Sequence, residues 1–555
     1  MAETLDCVVV GSGPAGLQAA YFLKKRGHAV RVLERGSRVS EFFRRFPRHR
    51  KLISINKVHT GLSNPDTRLR YDWNSLLSEE GLEFRDYSRR YFPDAEDMVR
   101  YMDDYARLVG EDVILLDHDV TRISRPGETF RVDCAGGQSL EARHVIVATG
   151  VSQPYRAGYA GEELVENYYD FDPDPERFID KRVLILGKGN SAFETADSLI
   201  ETAASIHVMS PRPVKFAWNT HFVGHLRAVN NNFLDTYQLK SQNAVIDAEV
   251  TRIEKVEGVY KVTCEMQAAE GHEMVLTYDH VIACTGFRFD PSIFDEAIRP
   301  GLCQFGKLPR MTAQWESEEV ENLWFAGTIM QYRDYKKTMS GFVHGFRHNV
   351  KALAEFVSAR LTGGAYPHDS VPLEREALTD AVVERISTSS GMFLQPSFLG
   401  DVIRLSGEGA GRRWQDVPMA WALEPGGPAA TGACLTVTLE FGDFGINPMH
   451  VKRRHEASGE HVDPFIHPVV RHYVDGALQA TTHLADHLDA DWRPVEERDA
   501  GAPTVTAMTF ADLGETLSPA EVARRQLSAF WQKIGLGRGA GGAAPEDRNH
   551  EVAGP

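Results

Sequence analysis

Leu5-Asp6-Cys7-Val8-Val9-Val10-Gly11-Ser12-Gly13-Pro14-Ala15-Gly16 opens the chain, and a helical pattern through Leu17, Ala20, Tyr21 and Leu23 runs on to Gly27. The apolar run predicts a buried strand, and a second strand over 29–33 ends in Glu34. Glu34 follows Gly11 at the spacing, roughly 20 residues, at which a dinucleotide-binding unit places its ribose-binding carboxylate. In that unit Gly11 permits the tight turn, Gly13 lets backbone approach the pyrophosphate, and Gly16 lets helix and strand pack closely. The diphosphate then meets the positive end of the helix.

The pattern recurs. A strand over 182–186 is followed by Gly187-Lys188-Gly189-Asn190-Ser191-Ala192, a helical run over 193–200 and a strand over 205–209. No acid stands where Glu34 stood: the equivalent position is Ser210, with Arg212 two residues on. An arginine accepts a 2′-phosphate that an acid would repel, so NADPH is expected over NADH, and a solvated loop residue is the alternative for Arg212. Runs over 144–150, with Thr149 and Gly150, and over 280–286 each form a buried strand ending in a small-residue turn, and another such strand reaches Gly327. A helical pattern follows over 340–361. The expected architecture is α/β, with two Rossmann-like dinucleotide-binding domains and a C-terminal α+β extension. The outer domain is placed at 1–155 and 305–365, with the second inserted at 156–304. The extension is placed at 366–500, with a helix over 373–386 and a strand over 434–441. A polar tail covers 501–555, disordered over 537–555.

With 555 residues, 42% apolar and 25% charged, the chain is globular and long enough for about three units. Its formal charge of −17 gives no attraction for nucleic acid or anionic lipid. The apolar opening is shorter than the roughly 20 residues of a membrane span. With neither a leader pattern nor a retention tail, a cytoplasmic location is expected. Cys7, Cys134, Cys264, Cys284, Cys303 and Cys434 show no Cys-x-x-Cys spacing, so neither a redox dithiol nor a metal site is expected.

With two nucleotide folds in this order, the chain resembles the two-dinucleotide-binding-domain flavoproteins, and its 187–192 turn resembles the NADPH turn of flavin-containing monooxygenases. The phrases 47–57, 72–77, 190–196, 234–241 and 341–347 are similar to the degradation-associated FAD-dependent oxidoreductase-domain proteins of the endoplasmic reticulum. The likeness is dense to about residue 400. It implies FAD on Gly11, Gly13, Gly16 and Glu34, with Thr149, Gly150 and Gly327 on the flavin side. NADPH falls to Gly187, Gly189, Asn190, Ser191 and Arg212. It also implies a monooxygenase, in which oxygen bound to reduced flavin as a hydroperoxide is passed to a nitrogen or sulfur of a small molecule.

Asn56 occupies the position of a flavin-side asparagine, with a plain turn residue as the alternative. His344 and Tyr335 are candidates for proton transfer, with a packed core histidine and a surface tyrosine as the alternatives. Val165 stands where the monooxygenases carry a histidine between the domains. The run Arg44, Arg45, Arg48, His49, Arg50 and Lys51 reads as a solvated face or an anion site. An NADPH oxidase or electron-transfer reductase, and a flavin-stabilised partner-binding protein, remain as alternatives. The partners expected are the small-molecule substrate and molecular oxygen, with homo-oligomerisation left open.

Overall fold

The computed structural model describes residues 4–239, 243–406, 409–442, 465–499, 504–510 and 514–536. The first sheet orders Ile114–Leu115, Val30–Leu33, Leu5–Val10, Ser139–Val147, Phe130–Cys134 and Val120–Ser124, and Leu323–Phe325 pairs with Ser139–Val147. Its inner strands are parallel and covered on both faces, which is why Cys7, Val8 and Val9 are all wholly buried. Each such side chain contributes about 1.5–3 kcal/mol. Helices Pro14–Lys25 and Val343–Thr362 pack side by side, where Gln18 Nε2 donates to the Arg347 carbonyl at 2.6 Å and Arg26 pairs with Glu355. A segment far along the chain thus completes the domain begun by the first strand. The chain re-enters this core at Phe289, Phe294 and Ile298, ahead of the expected 305, because the Val120–Ser124 strand is covered by that stretch. Ile123 N donates to Ile293 O at 2.6 Å.

The second sheet centres on Arg182–Leu186, with Ser205–Ser210 and His280–Ala283 parallel on either side. Ala244–Val256 and Glu166–Asn167 lie beyond them, and an antiparallel pair, Val259–Met266 and His272–Tyr278, extends one edge. The helix Asn190–Ser198 begins ahead of the expected 193 because Gly189 takes the extended N-cap conformation. In the basic run 44–51 all but the exposed, cleft-lining Lys51 are tied to protein partners. Arg44 pairs with Asp103 and Arg50 with Glu96, whereas Arg45 donates to Tyr169 O at 3.0 Å, Arg48 to Phe171 O at 2.5 Å, and His49 contacts Thr195 Oγ1 at 3.1 Å. It clasps the inner domain to the outer one.

The third unit is an antiparallel sheet in the order Asp369–Pro372, Ala410–Pro418, Leu399–Arg404, Ala433–Glu440, His467–Val474 and Ala477–His483. Helices Arg375–Thr388 and Pro519–Lys533 share its core through Val382, Ile386, Leu527 and Trp531. The expected polar tail over 501–555 therefore supplies a core helix. Its Ser518 and Glu521 form a capping box, and Trp531 Nε1 donates to Thr379 Oγ1 at 2.8 Å. The disorder expected over 537–555 lies outside the described residues. Among the described residues no helix is long and apolar enough to cross a membrane, and no group of His, Cys, Asp and Glu could hold a metal.

Candidate functional site

A cleft of about 1190 Å³ runs between the two sheet domains, larger than the roughly 300–1,000 Å³ typical of a small-molecule pocket. Gly11, Gly13, Glu34, Thr149, Gly150 and Gly327 line it from the outer domain, and Gly187, Gly189, Asn190 and Ser191 from the inner one. Both glycine turns are built alike. Gly11 has φ +102° and Gly187 φ +125°, a region that favours glycine. A Cβ on the first would lie 2.9 Å from Ala148 O, and one on the second 2.3 Å from Cys284 O, so each turn crosses the end of its domain's closing strand. Gly16 does not line the cleft. It lets the helix approach the turn, since its Cβ would lie 1.9 Å from Gly11 O. The helices after the two turns carry no acidic residue in their first turns, which leaves their positive ends to an anion.

The residues present fit FAD. Glu34 Oε2 accepts from Ser12 N at 3.0 Å and Ser12 Oγ at 2.6 Å, and Oε1 accepts from Gly36 N at 2.9 Å. Of its roughly four lone-pair sites, about one is left for a ribose hydroxyl. Thr149 Oγ1 is buried in the cleft lining without a partner among the described residues, and such an atom costs about 1–3 kcal/mol unless a ligand satisfies it.

On the inner side the Asn190 amide is not free for a cofactor. Its Oδ1 accepts from Arg227 N at 2.9 Å and Asn230 Nδ2 at 3.1 Å, and its Nδ2 donates to His225 O at 2.8 Å, so it clips the 224–230 loop to the turn. Lys188 pairs with Asp247 and donates to Arg212 O at 3.2 Å. The Arg212 side chain is exposed, outside the cleft lining, and Lys336 is held below its ordinary pKa by burial and by Lys215 and Arg212. None of these last three cations has an ion pair among the described residues. Cys284 lines the cleft without a second cysteine among the described lining residues, and burial pushes its thiol up to about 12. A thiolate nucleophile is therefore disfavoured.

Glu194 also lines the cleft, and burial pushes its carboxyl up to about 7, with Asp197 adding to the rise and the Tyr168 hydroxyl and Lys51 opposing it. Because the folded value lies above the unfolded one, the folded state holds more protons between the two, and stability falls as pH rises until it levels off above about 7. Glu194→Gln is expected to match the parent near pH 4, below the unfolded value, and to exceed it at pH 8 by on the order of 3 kcal/mol. Melting curves across that range check this. Parallel curves for the two proteins would remove the buried carboxyl from the argument.

Of the catalytic candidates, only His344 reaches the cleft. Asn56 is buried elsewhere, with Nδ2 donating to Ser88 O at 2.7 Å and Arg90 O at 3.3 Å, and Asn74 lines the cleft instead. Tyr335 is 42% exposed and outside the lining. His344 lies between Trp73, at 4.3 Å and 21°, and Phe342, at 5.8 Å and 13°. Burial and the nearby Arg347 and Arg227 hold its imidazole well below its ordinary pKa, hence neutral. Sequence reading missed Trp73 as a cleft residue and gave no signal for Arg227, whose guanidinium lies over the Trp73 ring at 5.1 Å.

The pattern of the pyridine nucleotide-disulphide oxidoreductase family matches residues 8–327. The FAD-dependent oxidoreductase domain-containing protein 2 of Mus musculus is 36% identical over 530 residues, which cover 88% of this chain and 78% of that one. Its Danio rerio counterpart is 37% identical over 448 residues, covering 72% and 65%. The flavin-containing monooxygenase FMO GS-OX4 of Arabidopsis thaliana is 23% identical over 369 residues, covering 58% and 72%. Two like glycine turns facing one cleft, together with these likenesses, show that the chain belongs to the pyridine nucleotide-disulphide oxidoreductase family and is a flavin-dependent oxidoreductase with FAD as its implied cofactor.

Proposed function

We propose that the protein is an FAD- and NADPH-dependent monooxygenase that oxygenates a nitrogen or sulfur of a small molecule. The observation that carries this reading is the shared cleft: both glycine turns open into it, and only one cysteine stands among its described lining residues. Disulfide reduction needs a dithiol to take the electrons, so the electrons are left for oxygen or for a soluble acceptor. When bound, FAD supplies the redox chemistry. The chain's own part is to hold the two diphosphates on Gly13 and Gly189, to orient the ribose through Glu34, and to exclude water with the wall of Trp73, His344 and Phe342. The cations Arg212, Lys215 and Lys336, without an ion pair among the described residues, support NADPH over NADH, since a 2′-phosphate would neutralise them. Val165, standing where the monooxygenases carry a histidine, favours a second reading, an NADPH oxidase or electron-transfer reductase.

Stopped-flow absorbance separates the two. Anaerobic reduction by NADPH is expected to be at least about tenfold faster than by NADH at equal low concentration, as a charge-assisted phosphate contact implies. Mixing with oxygen is then expected to give a transient band distinct from reduced and oxidised flavin. Direct return to oxidised flavin with stoichiometric peroxide establishes the oxidase reading, and no reduction by either nucleotide sinks both.

A further inference from the structure

The cleft wall contains a polar notch beside the inner glycine turn. The Arg227 guanidinium lies 5.1 Å over the Trp73 ring, Trp73, His344 and Phe342 follow as a pile with ring separations of 4.3 and 5.8 Å, and Phe222 leans on Phe342 at 5.7 Å and 55°. Because the faces of Trp73 and His344 are spent on one another and on Arg227 and Phe342, their edges are what remain for a ligand. Both edges carry a buried polar atom, Trp73 Nε1 and His344 Nε2, without a partner among the described residues, and His344 is only 2% exposed.

Arg227 adds charge. It is half-buried, its backbone is fixed to Asn190, and its guanidinium donates from Nη1 to Ile53 O at 3.1 Å. No carboxylate pairs with it among the described residues, and the groups that act on its charge are burial and the Tyr91 phenol. A guanidinium withdrawn from water without a counter-ion is costly, and Arg227 lines the cleft. The guanidinium and the indole N–H belong to one stack, and together they supply donors that suit a ligand with two acceptor oxygens.

We propose that this notch binds the carboxylate of the substrate, so that the substrate is a small carboxylic acid bearing the nitrogen or sulfur to be oxygenated. The oxygenated atom rests on the monooxygenase reading, whereas the carboxylate anchor does not. Arg227 and Trp73 Nε1 hold the acid, and neutral His344 takes a hydrogen bond from the substrate or gives one to it.

The test is calorimetric and spectral titration of the oxidised holoprotein with acetate, benzoate and 3-(methylthio)propionate, each against its neutral amide. At least one acid is expected to bind about tenfold or more tightly than its amide, with a shift of the flavin absorbance. Arg227→Gln is expected to abolish that preference, Arg227→Lys to keep part of it, and Trp73→Phe to weaken the acid several-fold. Flavin content and melting temperature show that each variant is folded, and if Arg227→Gln is not, Arg227→Lys and Trp73→Phe decide. A parent that binds none of the acids, or binds acid and amide alike, overturns the proposal. So does an Arg227→Gln protein that loses NADP⁺ binding while its acid preference is unchanged, which assigns the arginine to the nucleotide. Failure of the oxygenase reading would show as the missing absorbance transient, with these titrations unaffected.

Discussion

Gly13→Ala is expected to fold as the parent does and to lose FAD, whereas Gly16→Ala, three residues on, is expected to lose both. A Cβ on Gly13 meets no protein atom within 4 Å, and the residue's φ of −68° is ordinary for alanine, so the apoprotein has no reason to change. The methyl would instead project beside the cleft, where backbone must approach a diphosphate. Displacing a charge-assisted hydrogen bond there costs about 1.5–3 kcal/mol, a loss of roughly ten- to a hundredfold in affinity. Gly16 is the opposite case. Its Cβ would lie 1.9 Å from Gly11 O, a backbone atom of the turn itself, and 3.2 Å from Ala148 Cβ. Helix and turn must part, at about 1–3 kcal/mol or more, and the cradle is lost with them. Bound flavin per purified chain, together with the melting temperature of each apoprotein, separates the two. A Gly13→Ala protein that stays yellow with the parent's FAD affinity would show that the diphosphate does not sit on this turn.

The contrast also shows which parts of the molecule could be read from the chain. The glycine turns were legible because their chemistry is local: strand, turn and helix are contiguous, and the same crossing geometry recurs at Gly11 and Gly187. The third unit's last helix was legible in principle, since Ser518 and Glu521 spell a capping box with Pro519 at the first helical position, yet the surrounding Gly/Ala-rich stretch hid it. Asn56 failed for a different reason. Its amide turns away from the cleft to Ser88 and Arg90, while Trp73 and Asn74, which follow its bridge partner Asp72, line the cleft instead. His344 was visible as a polar residue at a helix start, but its partner Trp73 belongs to a distant segment. Arg227 carries no local signal, because its environment is assembled from three such segments.

Arg347→Ala is expected to give the largest stability loss of any single change outside the cleft. The side chain is wholly buried, and its guanidinium donates to Asp72 O at 2.9 Å, Ser75 O at 2.8 Å and Leu69 O at 2.7 Å. Truncation leaves three carbonyls unsatisfied beside a cavity, at about 1–3 kcal/mol for each carbonyl, hence on the order of 5 kcal/mol in all. That is comparable with the whole stability of a domain, about 5–15 kcal/mol. Arg347→Lys keeps the charge but not the planar fork and is expected to fall between parent and alanine. Denaturant midpoints and flavin content measure both. An alanine variant within about 1 kcal/mol of the parent would mean that water satisfies the carbonyls. Function follows from the same contacts, because Trp73 and Asn74 ride on the segment that Arg347 holds. Arg70, at the end of that segment's short helix, continues the chain of staples: it donates to Ala490 O at 2.9 Å and Ile386 O at 3.0 Å and lies over the Phe393 ring at 4.6 Å. The long helix therefore holds the cleft segment, and the cleft segment holds the third unit. Loosening the third unit through Arg70→Ala is accordingly expected to reach the cleft as lowered flavin retention, although Arg70 does not line it.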